Sequence, residues 1–580
     1  MTVSEQGVRR EEAVEWLEKP APEATGRLLA AGYGLLAAPL ARRGVKTEAE
    51  AETFLRPHRS GLHDPFLLSG MEEATERVLA VCRDRGTVAV VGDYDVDGVS
   101  ACALLTAVLR ALAAEVVPII PNRLTDGYGF QVAQVEKARR AGASLIVTVD
   151  CGTTSNEAVE EAIRQGMDVV VTDHHVAGSG FPSQAIQVNP QQDGCTYPFR
   201  HLCGAGLAFK LAQAVLRRSG REEPLAALLR VACLGTIADI VPLVGENRVI
   251  AALGLQALAK ARSPGLRALM RVSRVEGGVS STEVAFRLGP RLNAAGRLAS
   301  GELALRLLLT RDQAQADRLA GELDSLNRKR QAEERRVVRE ATELFSADER
   351  RPGILMGWSP GWHRGVVGIA AGRLAREFHR PVILLGVEGE TGTGSGRSIP
   401  GLDLHSFMTG FEGRMARFGG HPQAIGLSVD VSALPALKAE MEEAAVWPPE
   451  VLVRRREYEL ALSPEQVEPG LFRELAQLEP HGEANRRPLI RLGPLERSGP
   501  VREFGKDHVK VGVRRAGRGS DSGRFVQLLG WGWRKRLAEL DGRFEVLGAL
   551  EWDTWAGGPV VRIEDARQIA NGSETAPRAK

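Results

Sequence analysis

Acidic residues in this sequence fall at the ends of short apolar runs, and their chemistry follows from that placement. VAVV (88–91) leads into Asp93, Asp95 and Asp97. LIVTV (145–149) leads into Asp150, and DVVVT (168–172) leads into Asp173 with His174 and His175 next. A further acid, Asp239, follows the apolar helical run LLRVACLGTIA and precedes IVPL. A carboxylate flanked by apolar residues is costly unless it is paired or ligating. Carboxylates that converge repel one another unless cations sit between them. Carboxylates with imidazole suit Mn²⁺ better than Mg²⁺ alone, because nitrogen ligands favour the softer ion. Taken singly, each strand-end Asp reads equally well as the N-cap of the next helix. His174 is open to a purely structural role, and His175 to ligand, acid catalyst or phosphate contact. Three strand ends together, with histidines adjacent, favour a metal nest. No Ser–His–Asp or cysteine nucleophile pattern and no Walker A sequence is present, so ATP is not expected.

The elements that must position these residues alternate. Strands are expected at 88–91, 116–120, 145–149 and 168–171, with helices at 99–114, 132–141 and 156–165 between and after them. That order, with continuous apolar strands, predicts a parallel doubly wound sheet. In such a sheet ligands bind beyond the carboxyl ends of the strands, where the acids above would meet. Before it, residues 1–70 read as short charged helices, with 11–19 and 47–54 as candidates. After it, no proline occurs between Pro290 and Pro352, and most of 304–345 reads as a long helical connection. A second α/β segment follows, with a strand at 354–358, a helix near 368–377 and a strand at 381–386. Glycines then cluster at 391–398 and 418–421. Beyond Pro448, short alternating strands at 458–462, 508–513, 525–529 and 544–550 predict an OB-like β-barrel. The chain is thus divided into 1–70, a catalytic domain at 71–300, a connecting helix at 301–348, a smaller α/β domain at 349–448, a barrel at 449–570 and a polar, disordered tail at 571–580.

Composition sets few limits. The 580 residues are 43% hydrophobic and 26% charged, with a net charge of only +2, so a nucleic-acid surface would have to come from local clustering. Cys82, Cys102, Cys151, Cys195, Cys203 and Cys233 form no CxxC pair, which points to a reduced, cytoplasmic setting. The charged N-terminus is unlike a signal peptide, and no run of about 18 apolar residues predicts a membrane span. In the C-terminal part, Trp531, Trp533, Trp552 and Trp555 lie near Arg534, Lys535 and Arg536, while His508 and Lys510 share one face of a strand. Aromatic faces with cations suit a groove for single strands, although each Trp is equally readable as barrel core. Arg454–Arg456 and Arg328–Arg330 read either as binding surface or as solvated faces.

GDYDVDG (92–98), TVDCGTTS (148–155), TDHH (172–175) and GTIADIVPL (235–243) resemble the four motifs of the DHH phosphoesterases, in order. LCGAGLAFKL (202–211), PRLNAAGRL (290–298) and WHRGVVGIAAGRL (362–374) narrow the resemblance to the RecJ exonucleases of that superfamily. GSGRS (394–398) and GGHPQAIG (419–426) resemble the partner DHHA1 domain, with Ile425 where the family usually has Ala, and PHGEANRRP (480–488) resembles the entry to an OB domain. The resemblance implies a metal set of Asp93, Asp95, Asp150, His174 and Asp239, with Asp150 bridging two ions, Asp97 close by, and His175 near the scissile phosphate. It places Arg123 near a substrate phosphate and Tyr128 against a base. Arg297, Ser395, Arg397 and His421 are candidates to hold a terminal 5′-phosphate. The implied activity is processive 5′→3′ release of mononucleotides from single-stranded DNA, with two divalent ions, Mn²⁺ or Mg²⁺. A monomer in DNA repair and recombination is expected, partnered by a RecQ-type helicase and a single-strand binding protein. Rival readings are an oligonucleotide or cyclic-dinucleotide phosphodiesterase of the same superfamily, and an inactive Cdc45-like DNA-binding scaffold.

Overall fold

The computed structural model describes residues 14–569 apart from 124–125, 128, 178–179, 349, 351 and 518–524. The chain divides into two compact units. One comprises 65–239 and 257–454, with Glu15; the other comprises 16–64, 240–256 and 455 onward.

The first unit holds two sheets. Thr87–Gly92, Ala143–Val149 and Asp168–Thr172 are buried almost throughout and pair in parallel, flanked by Glu115–Ile119 on one edge and Ile186–Val188 on the other. The Ile186–Val188 strand lay outside the sequence expectation; at three residues it is too short to show a period. Helices Val132–Arg140 and Asn156–Arg164 turn apolar faces inward, so that Val135 and Val159 share one core with Ala89 and Ile146. Helix Val96–Ala111 starts three residues before the expected position, because Asp95 itself provides the N-cap.

The expected long connection is two helices, Glu302–Leu309 and the 34-residue Gln313–Ser346. The second restarts where the Asp312 side chain accepts the Gln315 N–H at 2.6 Å. In the second sheet Leu355–Ser359 and Val382–Glu388 are parallel, joined by helix Arg364–Phe378, and Thr391–Arg397, Ala424–Asp430 and Arg417–His421 continue it antiparallel. The glycine-rich segments are therefore strands of this sheet.

In the second unit five strands close on themselves. Leu489–Arg497, Phe544–Asp553, Gly558–Gln568, Val526–Gly530 and His508–Arg515 pair in turn, and the last pairs back with the first. Closure removes the exposed edges of an open sheet. Leu28, Leu40 and Phe54 share this barrel's core with Ile490, Val511 and Phe544. One expectation fails here: 11–19 is not helical where described, since Glu15–Glu18 is a strand. Trp16 is its buried residue, donating from Nε1 to Asp565 Oδ2 at 2.7 Å, and burying one residue in four suits an extended segment better than a helix face. Among the described residues no helix is long and apolar enough to cross a membrane. All six cysteines are buried and unpaired.

Candidate metal centre

Each acid is set by the end of an element. Asp93 and Asp95 follow the Thr87–Gly92 strand. Asp95 Oδ1 accepts the N–H groups of Asp97 at 2.8 Å and Gly98 at 3.2 Å, capping the helix that follows. Asp97, on the first turn, accepts from Gly204 N–H at 2.6 Å and Ala205 N–H at 2.9 Å, so its charge sits on the positive end of helix Gly204–Arg218. Asp150 takes a left-handed conformation, φ 63°, while its N–H donates to Thr172 O at 3.0 Å. A non-glycine residue held there carries strain that the surroundings must support. Asp239 is the C-cap of helix Leu225–Ala238.

Two glycines make the approach possible. A Cβ on Gly204 would fall 2.3 Å from Asp150 Cβ, and one on Gly235 would fall 2.2 Å from Asp97 Oδ1. Only hydrogen fits between these helices and the carboxylates.

The result is one anionic nest. Asp93, Asp95 and Asp150 bring ligand atoms within 4.8 Å of one another, as do Asp97, His174 and Asp239, and as do Asp150, Asp173, His174 and His175. His174 Nε2 is buried 3.2 Å from Asp150 Oδ1 and 3.7 Å from Asp239 Oδ2, without the alignment of a hydrogen bond. Asp93 Oδ1 is likewise buried with no hydrogen-bond partner. Burial, then the charge of Asp95, pushes Asp93 up to about 8. Burial, then Asp97 and Asp95, pushes Asp239 up to about 9. Asp95 and Asp150 shift upward for the same reasons. Burial and then the charge of His175 hold His174 below its ordinary value, favouring the neutral, ligating imidazole. Oxygens that repel and a nitrogen lone pair aimed at them fit divalent cations between them.

His175 differs from its neighbour. Burial opposes its charge, but Asp173 outweighs that and raises its pKa to about 9. Asp173 Oδ1 accepts from His175 Nδ1 at 2.7 Å and from the backbone N–H of His174 at 2.8 Å, while Oδ2 accepts the Thr153 N–H at 3.0 Å. Burial would raise Asp173, yet these partners hold it below the carboxylate range. Asp173 stands at a strand end in the sequence and lies outside the expected metal set. Its signal was the direct succession Asp–His–His.

Cationic groups lie in the same unit. Arg297 is half-buried on helix Gly289–Leu298, with Nη1 donating to Gly365 O at 3.4 Å. Burial, then the charges of Arg123, Arg330 and Arg397, takes it down to about 10. Arg123 is exposed, with its guanidinium 5.1 Å from the Tyr94 ring. Arg397 donates to Ser395 Oγ at 2.5 Å, and Ser395 donates to Ile425 O at 2.9 Å. His421 is exposed on the outer strand of the sheet, opposite Ala424, which itself pairs with Arg397. His421 is therefore about 10 Å from Arg397 across two strand spacings. Tyr128 lies outside the described residues. Arg330, open to reading as a solvated face, is instead half-buried: it donates to the buried Asn327 Oδ1 at 3.0 Å and pairs with Glu334 at 3.1 Å. Helical spacing would have exposed this, since Leu319, Leu323 and Asn327 line the inward stripe three or four residues apart.

The barrel surface has its own aromatic group. Trp531, 53% exposed, has the rings of His508 at 4.7 Å and Phe504 at 5.5 Å. Trp555 is exposed with Lys510 at 5.6 Å, and Lys510 pairs with Asp553 at 2.5 Å. Trp533 is core. Of the neighbouring cations, Arg536 stacks on Trp533 at 4.1 Å.

Residues 87–236 match the DHH family, N-terminal domain; 352–446 match the DHHA1 domain; 458–565 match the RecJ OB domain. The single-stranded-DNA-specific exonuclease RecJ of Bacillus subtilis is 37% identical over 489 residues, covering 83% of this chain and 61% of that protein. The Escherichia coli protein of the same name is 36% identical over 505 residues, covering 83% and 86%. The crystal structure of RecJ from Thermus thermophilus with Mn²⁺ matches with a TM-score of 0.81 at 32% identity, covering 96% of this chain and 80% of that one. The Thermus protein has also been solved with Mg²⁺, matching with a TM-score of 0.76.

Proposed function

The chain belongs to the RecJ family of single-stranded-DNA-specific exonucleases, and from that premise we propose that it hydrolyses single-stranded DNA from the 5′ end, releasing mononucleotides. The observation that carries this reading is the convergence of Asp93, Asp95, Asp150, His174 and Asp239 on one nest, in the same unit as the half-buried Arg297 and Arg397. These five residues would hold two divalent cations, Mn²⁺ by preference because imidazole is among the ligands, with Asp150 common to both. Ions bound there would lower the pKa of a bound water and neutralise charge on the attacking and leaving oxygens.

The chain's own residues do the rest. Asp97 fixes the nest against the Gly204–Arg218 helix. His175, kept charged by Asp173, presents a cation to the scissile phosphate. Arg297, Arg397 and Ser395, with Arg123 beside them, hold the terminal 5′-phosphate and so set polarity; His421 and Tyr128 add a phosphate and a base contact. The exposed rings of Trp531 and Trp555 give the barrel a surface on which bases stack. Such an enzyme needs strands already separated, so we assign it a monomeric role in the cytoplasm, in repair and recombination, beside a helicase of the RecQ type and a single-strand binding protein.

Asp150→Ala is expected to abolish hydrolysis of a 5′-labelled strand at saturating Mn²⁺, with folding checked by circular dichroism. Wild-type turnover in that variant would overturn the metal assignment. Equal rates on 5′-phosphorylated linear and on circular strands would overturn the end recognition.

A further inference from the structure

We infer that Phe286 contacts a nucleobase of the bound strand beside the metal nest; this deepens the exonuclease reading and rests on it. The chain from Ser281 to Leu298 is one run of helix interrupted by a π-helical turn at Val284–Leu288. The cause is local. Pro290 lies inside the run, where its ring would clash with the carbonyl four residues back, that of Phe286. The chain widens instead, and Gly289 N–H donates to Val284 O, five residues back. Turns of this kind inside helices occur frequently at functional sites.

Phe286, at the centre of that turn, is 75% exposed. A single exposed apolar residue is ordinary on a surface; its position on this helix is not. Further along the same helix Asn293 Oδ1 accepts the Val96 N–H at 3.1 Å, between Asp95 and Asp97, and Arg297 follows one turn later. Phe286 precedes Arg297 by eleven residues on the same run of helix, roughly 15 Å along the axis. The π turn also lies against the helix that delivers Asp239: a Cβ on Gly289 would meet Ala238 Cβ at 3.7 Å. One helix thus carries a polar contact to the nest, a half-buried guanidinium and, a short run of nucleotides away, an exposed ring. A flat ring in that place suits the face of a base, and it suits any base equally.

The test compares a 5′-phosphorylated 20-mer with a 5′-phosphorylated dinucleotide, which is too short to reach Phe286 from the nest. Phe286→Ala should lower the ratio of kcat/KM for the 20-mer over the dinucleotide roughly tenfold, the weight of one base–aromatic stack, and mainly through KM. Phe286→Leu, which keeps apolar volume without a ring, should behave like Ala, and Phe286→Trp should restore the ratio. On a 20-mer made abasic beyond its first two nucleotides, wild type and Phe286→Ala should converge. A ratio unmoved by Phe286→Ala, or restored by Leu, would overturn this inference alone. A wild-type enzyme inert on both substrates would overturn the exonuclease reading itself.

Discussion

Asp173 shows how much a carboxylate can do through its neighbours. It has three backbone or ring N–H partners within 3.0 Å, and its charge raises the pKa of His175 against the burial that lowers it. Asp173→Asn keeps the shape but removes the charge that supports the imidazolium. Loss of such an outer partner typically costs 10- to 100-fold in activity or metal affinity, so kcat/KM on a 5′-labelled strand should fall by about that factor. A loss below about twofold would show that His175 does not depend on its partner. The residue types at this scale were legible in the sequence, because Asp and His are the groups that ligate and titrate. Their partners were not: that Asp97 binds the backbone of Gly204 and Ala205 depends on two segments more than a hundred residues apart.

Elements fix how closely the nest can close. Helix Gly204–Arg218 begins against Asp150, and Gly204 is the point of contact. Gly204→Ala would force a methyl into 2.3 Å of Asp150 Cβ, so the helix must move or Asp150 must leave its left-handed conformation. Overpacking of this kind costs about 1–3 kcal/mol. Thermal unfolding followed by circular dichroism should show the loss, and hydrolysis should fall with it as the ligands separate. A variant with the wild-type midpoint and rate would mean that the helix start yields freely. The strands and helices of this region were readable because buried parallel strands are continuous apolar runs. The π turn and the break before Gln313 were not, since each comes from one residue acting on its local backbone, Pro290 and Asp312.

At the scale of the molecule, the second unit is assembled from three separate stretches of chain, and buried cations tie them together. Arg248 is 1% exposed, donates to the carbonyls of Phe54, Leu478 and Glu479 at 2.6 to 2.9 Å, and lies 3.9 Å from the Phe54 ring. Arg43 pairs with Glu459 at 2.8 Å and donates to Asn485 Oδ1 at 2.5 Å. His481 lies among these charges. Burial, then Arg487 and Arg43, lowers its pKa to about 3, against 6.5 for the free side chain. The folded form therefore refuses a proton that the unfolded chain accepts. Stability from this group is full above pH 6.5 and is lost as pH falls below it, down to about 3. The slope is on the order of 1.4 kcal/mol per pH unit, or about 2 kcal/mol between pH 7 and 5. Urea unfolding at both pH values should show a larger loss for wild type than for His481→Gln. Equal losses would show that His481 takes up its proton freely in the folded state.

Much of the site was written in the order of residues. Apolar runs ending in acids determine where a parallel sheet offers carboxylates, because pairing and burial are local properties of each run and the strand ends share one edge. Glycine at 204 and 235 could be seen as motif but not as contact. Only the tertiary structure decided which atoms meet: that Asp150 and His174 are common to more than one ligand group, that Arg330 turns inward, and that residues 16–64 pack into the barrel's core. Those outcomes depend on distances between segments remote in sequence, and no pattern along a single segment encodes them.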